Sequence, residues 1–458
     1  MKMYYNVEDK PKFGQLIVFA IQQLLAIMAA TLVVPVIIGN GMSSAAALFG
    51  AGVGTLVYVL FTAKKSPVFL GSSFAFIGSM FAAFAGGVSM ALGYVGLILG
   101  AVFAGLVYVI IAIIVKFAGV GWINKLMPPV VIGPTVAIIG LSLAGNAVGD
   151  LQKGGVLDAE GNSVANVLLC VLIGIITLIV TMLCSTYGKK TAKLIPFIFG
   201  ILAGYAVALV FTVIGNAADV EALKLINFGN FTALVSGGVS LETFVSVPDF
   251  TFLTAFGGLK ELNASYVGTI AVAYVPVAFV VFAEHIADHK NISSIIEKDL
   301  LEEPGLHRTL LGDGVGSMVG ALFGGCPNTT YGESVACVAI TRNASVATII
   351  AAAFGAIIVS FVNPFVAFVN SIPACVMGGV CMALYGFIAV SGLKMVQKVD
   401  LNENKNLFVV SAILIAGIGG LSLTFGKITL TAVATSLILG IIVNLILSGK
   451  KEEVNETK

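Results

Sequence analysis

Charge is scarce in this chain: 10% of its 458 residues are Asp, Glu, Lys or Arg, where a soluble globular protein carries about 25%. That shortage excludes a soluble enzyme, a disordered chain and a nucleic-acid binder, each of which needs a charged, solvated surface. Histidine occurs three times and tryptophan once. The six cysteines (Cys170, Cys184, Cys326, Cys337, Cys375, Cys381) fall in or beside apolar runs. Their spacing is neither a disulfide framework nor a zinc pattern, so they read as small buried side chains. A net charge of +1 points to no charged partner. What is abundant is apolar: 58% of residues, with 53 glycines and a mean hydropathy of +1.06.

A membrane span takes about 20 apolar residues, and the apolar runs between polar breaks divide into about fourteen such segments. The expected fold is therefore an all-α polytopic membrane protein. The first twelve residues are polar and the apolar run from Phe13 is long, so it reads as an uncleaved first span rather than a secretory signal. The third segment (67–85) and the tenth (327–341) are short and rich in Gly, Ser, Thr or Pro, which suits broken helices. Orientation follows the distribution of Lys and Arg. With an even span count and both termini inside, only Lys153, Lys224, Lys260 and Lys427 of the 24 cations fall outside. The inside stretch 289–306, with Ile292, Ile295 and Ile296 among charges, predicts a short interfacial helix.

The two halves are alike. Pro128-Pro129-Val130-Val131-Ile132-Gly133 in the fifth segment matches Pro373-Ala374-Cys375-Val376-Met377-Gly378 in the twelfth. A repeat of seven spans enters the membrane from opposite sides in its two copies, giving a 7+7 inverted repeat, a common plan of secondary transporters. Corresponding broken segments are the best sequence pointer to a midplane site. Pro327 through Tyr331 and Pro67 through Phe76 both read as short β-strands. Paired with each other, they would satisfy backbone groups at membrane depth.

Four acids lie in these segments: Glu284 and Asp288 in the eighth (267–288), Asp313 in the ninth (307–325) and Glu333 in the tenth. A carboxylate at a helix centre costs roughly 2.5–3.5 kcal/mol, and no Lys or Arg sits deep enough to neutralise these. Acids buried without a cation are poised to carry a proton. Glu284 and Asp288 are four apart and share a helix face. The structural alternative is a polar group bonded to backbone at a helix break, and Asp288 also lies near a solvated end. A different chemistry is open at His285-Ile286-Ala287-Asp288-His289, which resembles an inverted zinc-hydrolase motif with Asp in place of Glu. No clear third metal ligand follows it, and His289 abuts Lys290, so neither a metal nor a cofactor is expected.

At these residues the chain resembles the nucleobase–ascorbate transporter family, nearest its bacterial uracil permease branch. The resemblance spans about residues 12–448. It rests on Gln22-Gln23-Leu24-Leu25-Ala26, Gly71-Ser72-Ser73-Phe74-Ala75-Phe76, Ala283-Glu284-His285-Ile286, Gly312-Asp313-Gly314, and the run Asn328 to Glu333 with Thr341-Arg342. The family fold implied is a core domain of 14–115 and 267–369, a gate domain of 128–215 and 371–448, and an outside loop of 216–266. The function implied is uracil:proton symport across a bacterial cytoplasmic membrane, without enzymatic activity. Glu284 and Glu333 would hydrogen-bond the base, the backbone of Phe74 and Gly332 would meet its other edge, and Tyr331 would shape the pocket. A homodimer through the gate domain is also implied.

The residues agree with that implication. Uracil is neutral, with N–H donors flanked by carbonyl acceptors; an ionised carboxylate accepts from N–H and a protonated one donates to C=O. Two acids and no base suit it better than an anion such as sulfate or bicarbonate, whose carriers resemble the same architecture. Gln23 stands where the family has histidine, Asp288 where some uracil permeases have histidine, and Ser334 and Ala336 where the signature has Asn and Gly. Proton coupling therefore falls to Glu284 first, with Asp288 and Asp313 as modulators. A purine or xanthine permease of the same family, a channel and an intramembrane metallohydrolase remain as other readings.

Overall fold

A computed structural model describes residues 3–119, 122, 128–189, 191–425 and 428–448. Lys2, Lys125, Lys190, Lys427, Lys450, Lys451 and Lys458, which entered the charge asymmetry, lie outside the described residues. The rest is mostly helical. Eight of the described helices are long and apolar enough to cross a membrane, and five shorter apolar ones accompany them. Local chemistry sets their ends. Ser89 caps Met90–Ala118 by accepting from the Leu92 N–H at 3.1 Å, and Gly119, at φ 70°, ends it. Asn263 caps Ala264–Ile296 through the Tyr266 N–H at 3.0 Å. Both caps satisfy amides that a helix leaves unpaired at its start.

Several segments differ from the sequence expectation. The stretch after Asp288 is not a separate interfacial helix at its start: Ala264–Ile296 runs on through it. Ile292 and Ile296 are buried and continue the inward face of that helix, so the apolar periodicity holds it together past the charged residues. The eleventh segment breaks into Val346–Ser360 and Asn363–Ser371, with Pro364 in the first turn of the second. Its missing amide is tolerated only at such a start. A strand pair that was not expected, Leu423–Phe425 with Ile428–Leu430, precedes the last helix, Ala432–Ser448. The 216–266 stretch holds short helices, of which Thr251–Gly258 packs against Met90–Ala118.

The helices pack in two groups. In one, Ser44–Phe61 lies against Leu306–Gly324, Val346–Ser360 and Phe13–Ile38, while Met90–Ala118 joins Leu306–Gly324 to Ala264–Ile296. In the other, Ala374–Val396 lies against Pro129–Ser142, Val167–Tyr187 and Pro196–Ala218, and Pro129–Ser142 carries Asn404–Ile418 and Ala432–Ser448. The glycines Gly378, Gly379 and Gly417 face Ala147, Gly174 and Ile138, so their close packing lies inside the second group. Leu168, Leu172, Ile175, Ile179 and Met182 on Val167–Tyr187 are all exposed. At helical spacing they form one apolar stripe, which suits contact with lipid rather than water.

The two broken segments pack within the first group, against Phe13–Ile38, Ser44–Phe61, Ala264–Ile296 and Leu306–Gly324. β1, Leu70–Ser72, and β2, Asn328–Thr330, pair antiparallel with Leu70 opposite Thr330, Gly71 opposite Thr329 and Ser72 opposite Asn328. The strands expected in segments three and ten are thus present, and each supplies the other's backbone partners. Every residue of both strands is buried.

Candidate functional site

The strands feed directly into short helices. β1 leads through a single turn at Phe74–Phe76 into Ile77–Ala83, and β2 leads into Gly332–Thr341. Each strand ends where its helix begins, so two helix starts with their unpaired N–H groups sit near the strand pair. Glu333 is in the first turn of its helix, where an acid is electrostatically favoured.

A cavity of about 440 Å³ opens beside them. One wall carries Phe74, Glu284, Asp288, Tyr331, Gly332 and Glu333. The facing wall, from the second helix group, is mostly apolar and includes Val136, Ile139, Phe197, Leu384 and Phe387, with Ser391 among them. The cavity extends to Ser185 and Lys193. Glu284 and Asp288 lie on one face of Ala264–Ile296, both half-buried, and Glu333 is half-buried on a different element. The structure thus gathers the five residues expected to contact a ligand, together with Asp288.

Asp313 is not among them. It is fully buried, and its Oδ2 lies 2.7 Å from His285 Nδ1. His285 Nε2 is 3.0 Å from the Thr309 hydroxyl. One turn on, His289 Nδ1 lies 2.8 Å from the His285 carbonyl oxygen, and its Nε2 lies 2.7 Å from the Tyr58 hydroxyl. That hydroxyl is in turn 2.6 Å from Ser66 Oγ. The two imidazoles stack with centroids 4.0 Å apart. All four ring nitrogens are therefore engaged within the protein, which leaves the histidine pair no free nitrogen for a metal. Among the described residues, no group of three or more His, Cys, Asp or Glu is placed to hold one.

Other polar bonds fix the wall of the cavity. The Thr330 hydroxyl donates to Asp288 Oδ2 at 2.8 Å, tying β2 to Ala264–Ile296. The Tyr331 hydroxyl donates to the Ser72 carbonyl at 2.7 Å, crossing from the tenth segment to the third. Gly71 makes room for the Tyr331 ring, because a Cβ there would collide with it. Buried Gln23 donates from Nε2 to Ser334 Oγ, and Ser334 Oγ also accepts from the Phe69 N–H at 3.0 Å. Gln23 and Ser334, two separate departures from the family pattern, are thus partners. The signal for them was an amide pair, Gln22-Gln23, deep in the apolar run 13–38 and a hydroxyl directly after Glu333; only the fold brings them together.

The Tyr331 bond carries a direct prediction. Tyr331→Phe keeps the ring and leaves the buried Ser72 carbonyl without its donor, which costs about 1–3 kcal/mol. The variant is expected to unfold at a lower temperature than the parent in detergent micelles, read by thermal denaturation. An unchanged midpoint would mean that the bond contributes nothing to joining the two segments.

Comparison with known proteins follows the same lines. The family model described as "Permease family" (Xan_ur_permease) matches residues 14–426. The chain is 38% identical to a uracil permease of Bacillus caldolyticus, covering 98% of this chain and 96% of that one. It is 36% identical to the uracil permease of Bacillus subtilis (strain 168), covering 100% and 98%, and 36% identical to that of Escherichia coli (strain K12), covering 96% and 93%. Among solved structures, the transmembrane domain of the cyanobacterial bicarbonate transporter BicA superposes with a TM-score of 0.62 at 15% identity, covering 97% of this chain and 100% of that one. Murine Slc26a9, an anion transporter in the inward-facing state, gives 0.62 at 11% identity, covering 96% and 69%. At such identities these two likenesses speak for the fold alone.

Proposed function

The chain belongs to the nucleobase–ascorbate transporter family, and on that footing we propose that it imports uracil across a bacterial cytoplasmic membrane by proton symport. It is a multi-pass transporter, not an enzyme. The observation that carries the reading is the meeting of Glu284 and Glu333, from separate elements, in one cavity of about 440 Å³. Lys193 is the one Lys or Arg side chain among the described residues lining that cavity, and it lies on a segment separate from the acids.

The chemistry suits a neutral ring with alternating N–H and C=O groups. Glu333 accepts from a ring N–H. Glu284 carries the proton and, when protonated, donates to a ring carbonyl. The backbone of Phe74 and Gly332 meets the other edge, Tyr331 holds the two broken segments together, and Asp288 and Asp313 modulate Glu284. Asp313 would act only through the His285 side of the helix.

Movement is assigned to the two helix groups. The first, 14–115 with 267–369, is the core that holds the acids; the second, 128–215 with 371–448, is the gate that supplies the apolar wall. Alternating access is their relative displacement around the site. Several features support a fourteen-span 7+7 inverted repeat. β1 and β2 occupy corresponding places in the halves, and Pro128 and Pro373 each stand as the cap before a helix, Pro129–Ser142 and Ala374–Val396. Both termini are placed in the cytoplasm, with 216–266 outside, on the lysine and arginine distribution. Pairing of two copies through the gate is the remaining part of the proposal.

The test is uptake of labelled uracil into proteoliposomes with and without an inward proton gradient, with unlabelled xanthine as competitor. Gradient-dependent accumulation that xanthine leaves unchanged is the expected result. Transport of xanthine in place of uracil would overturn the assigned base. Uptake indifferent to the gradient would replace symport by facilitated diffusion.

A further inference from the structure

A second cavity, of about 230 Å³, lies beyond the acidic one. The two share three wall residues, Phe74, Ala75 and Ile139. Two helices agree on how the cavities are arranged. Along Pro129–Ser142 and its continuation, Val136 faces the first cavity, Ile139 faces both, and Ser142 and Asn146 face the second. Ten residues at 1.5 Å each separate Val136 from Asn146, about 15 Å. Along Ala264–Ile296, Val277 faces the second cavity and Glu284 the first, about 10 Å apart on the same rise. The cavities therefore follow one another along the bundle, and the layer between them is the Phe74 and Ile139 side chains. Phe74 is held in that layer edge-on to the Tyr385 ring, with centroids 6.0 Å apart.

The second cavity has its own polar equipment. The Ser142 hydroxyl donates to the Ile139 carbonyl at 3.0 Å, which leaves its oxygen as an acceptor. The Thr431 hydroxyl accepts from the Ala434 N–H at 3.3 Å, which leaves its proton free to donate. The Asn146 amide offers one group of each kind. Donors and acceptors alternating around a small space match the edge of a neutral ring that alternates N–H with C=O. Among the described residues no acid or base lines it, so the lining offers an ion no countercharge. A volume below the 300–1,000 Å³ of pockets for drug-sized ligands fits a single ring.

We propose that this cavity is a waiting site, on the outer side, for the same class of neutral single-ring nucleobase, from which the ring passes the Phe74–Ile139 layer to reach Glu284 and Glu333. The proposal rests on the transport reading above. It makes Asn146, Ser142 and Thr431 contacts made before the acids are reached, and makes Phe74 a partition as well as a backbone contact.

The test introduces Ser142→Cys in a Cys184→Ser background, since the other five cysteines are buried. Intact cells are treated with a membrane-impermeant maleimide, with and without saturating uracil, and uracil uptake by the unlabelled parent is measured in parallel. Labelling from outside that uracil slows several-fold is expected, and the protection is expected to persist when Glu333→Gln is added. Labelling that requires a permeabilised membrane overturns the proposal. So does protection that vanishes with Glu333→Gln, because it would then report binding at the acidic cavity. Asn146→Leu is a second arm: losing one hydrogen bond before the partition should raise KM about fivefold with kcat unchanged, and an unchanged KM counts against the waiting site. Absence of uracil uptake by the parent would sink the transport reading itself, whereas uptake without protection sinks only the outer site.

Discussion

Glu284→Gln is expected to abolish gradient-driven accumulation of uracil while leaving a folded protein that still binds the base. Glutamine preserves the size of the side chain and can donate and accept hydrogen bonds, but it cannot gain or lose a proton in this range. Coupling is therefore lost outright. Binding suffers only the difference between two neutral hydrogen bonds, the acid O–H and the amide N–H to the ring carbonyl, about 1 kcal/mol or roughly five-fold in affinity. The measurement is accumulation in proteoliposomes under an inward proton gradient, beside uracil counterflow without one. Accumulation should fall by at least about ten-fold, with counterflow retained in part. Wild-type accumulation in the mutant would move the proton to Asp288, which lines the same cavity, and Asp288→Asn would then carry the loss.

The largest structural effect is expected at the contact between Ser44–Phe61 and Leu306–Gly324. A Cβ at Gly50 would strike the Gly320 carbonyl, and one at Gly54 would meet the Gly316 carbonyl oxygen at 2.7 Å. These are backbone atoms, which cannot turn aside as a flexible side chain can. Small residues let membrane helices approach this closely, and packing of that kind holds them together in lipid. Gly50→Leu forces the pair apart, and overpacking of a tight interior costs about 1–3 kcal/mol or more. It also pulls on Asn328, whose Nδ2 donates to the Gly50 carbonyl at 3.2 Å and which sits in β2. The expected outcome is loss of the monodisperse species on size exclusion in detergent, or a much lower unfolding midpoint with uracil binding lost. A folded Gly50→Leu protein that binds uracil normally would show that the helix pair need not be so close.

The broken segments were legible in the sequence because their chemistry is local. Proline, glycine and the β-favouring run Thr329-Thr330-Tyr331 mark where a helix cannot continue, and the strands fall there. The acids were legible for a similar reason, since a carboxylate in an apolar run carries a cost that needs explaining. What pairs with what was not. Asp313 and Glu333 look alike as buried acids, yet one faces His285 and the other the cavity, a difference of helix rotation that spacing alone does not give. His285 and His289, four apart, share one helix face in the metal reading; in the fold that face is turned to Thr309 and Tyr58, and both rings are taken up there. The pairing of 423–425 with 428–430 went unread because Leu423, Phe425, Ile428 and Leu430 look like the apolar ends of two successive spans, and the break between them, Gly426-Lys427, reads as an ordinary loop. Grouping of the helices depends on contacts between residues hundreds apart, which no local pattern encodes.

The strand pair has a consequence for how the protein is made. β1 ends at Ser72 and its partner begins at Asn328, so the ribosome must add about 260 residues before the second strand exists, roughly 13–50 s at ordinary elongation rates. Throughout that interval Leu70 to Ser72 has no strand to bond with, in a setting where lipid offers no substitute. The nascent third segment must be sheltered by the insertion machinery or lie at the membrane surface, and a chain released before residue 330 leaves a permanently open edge for quality-control proteases to find.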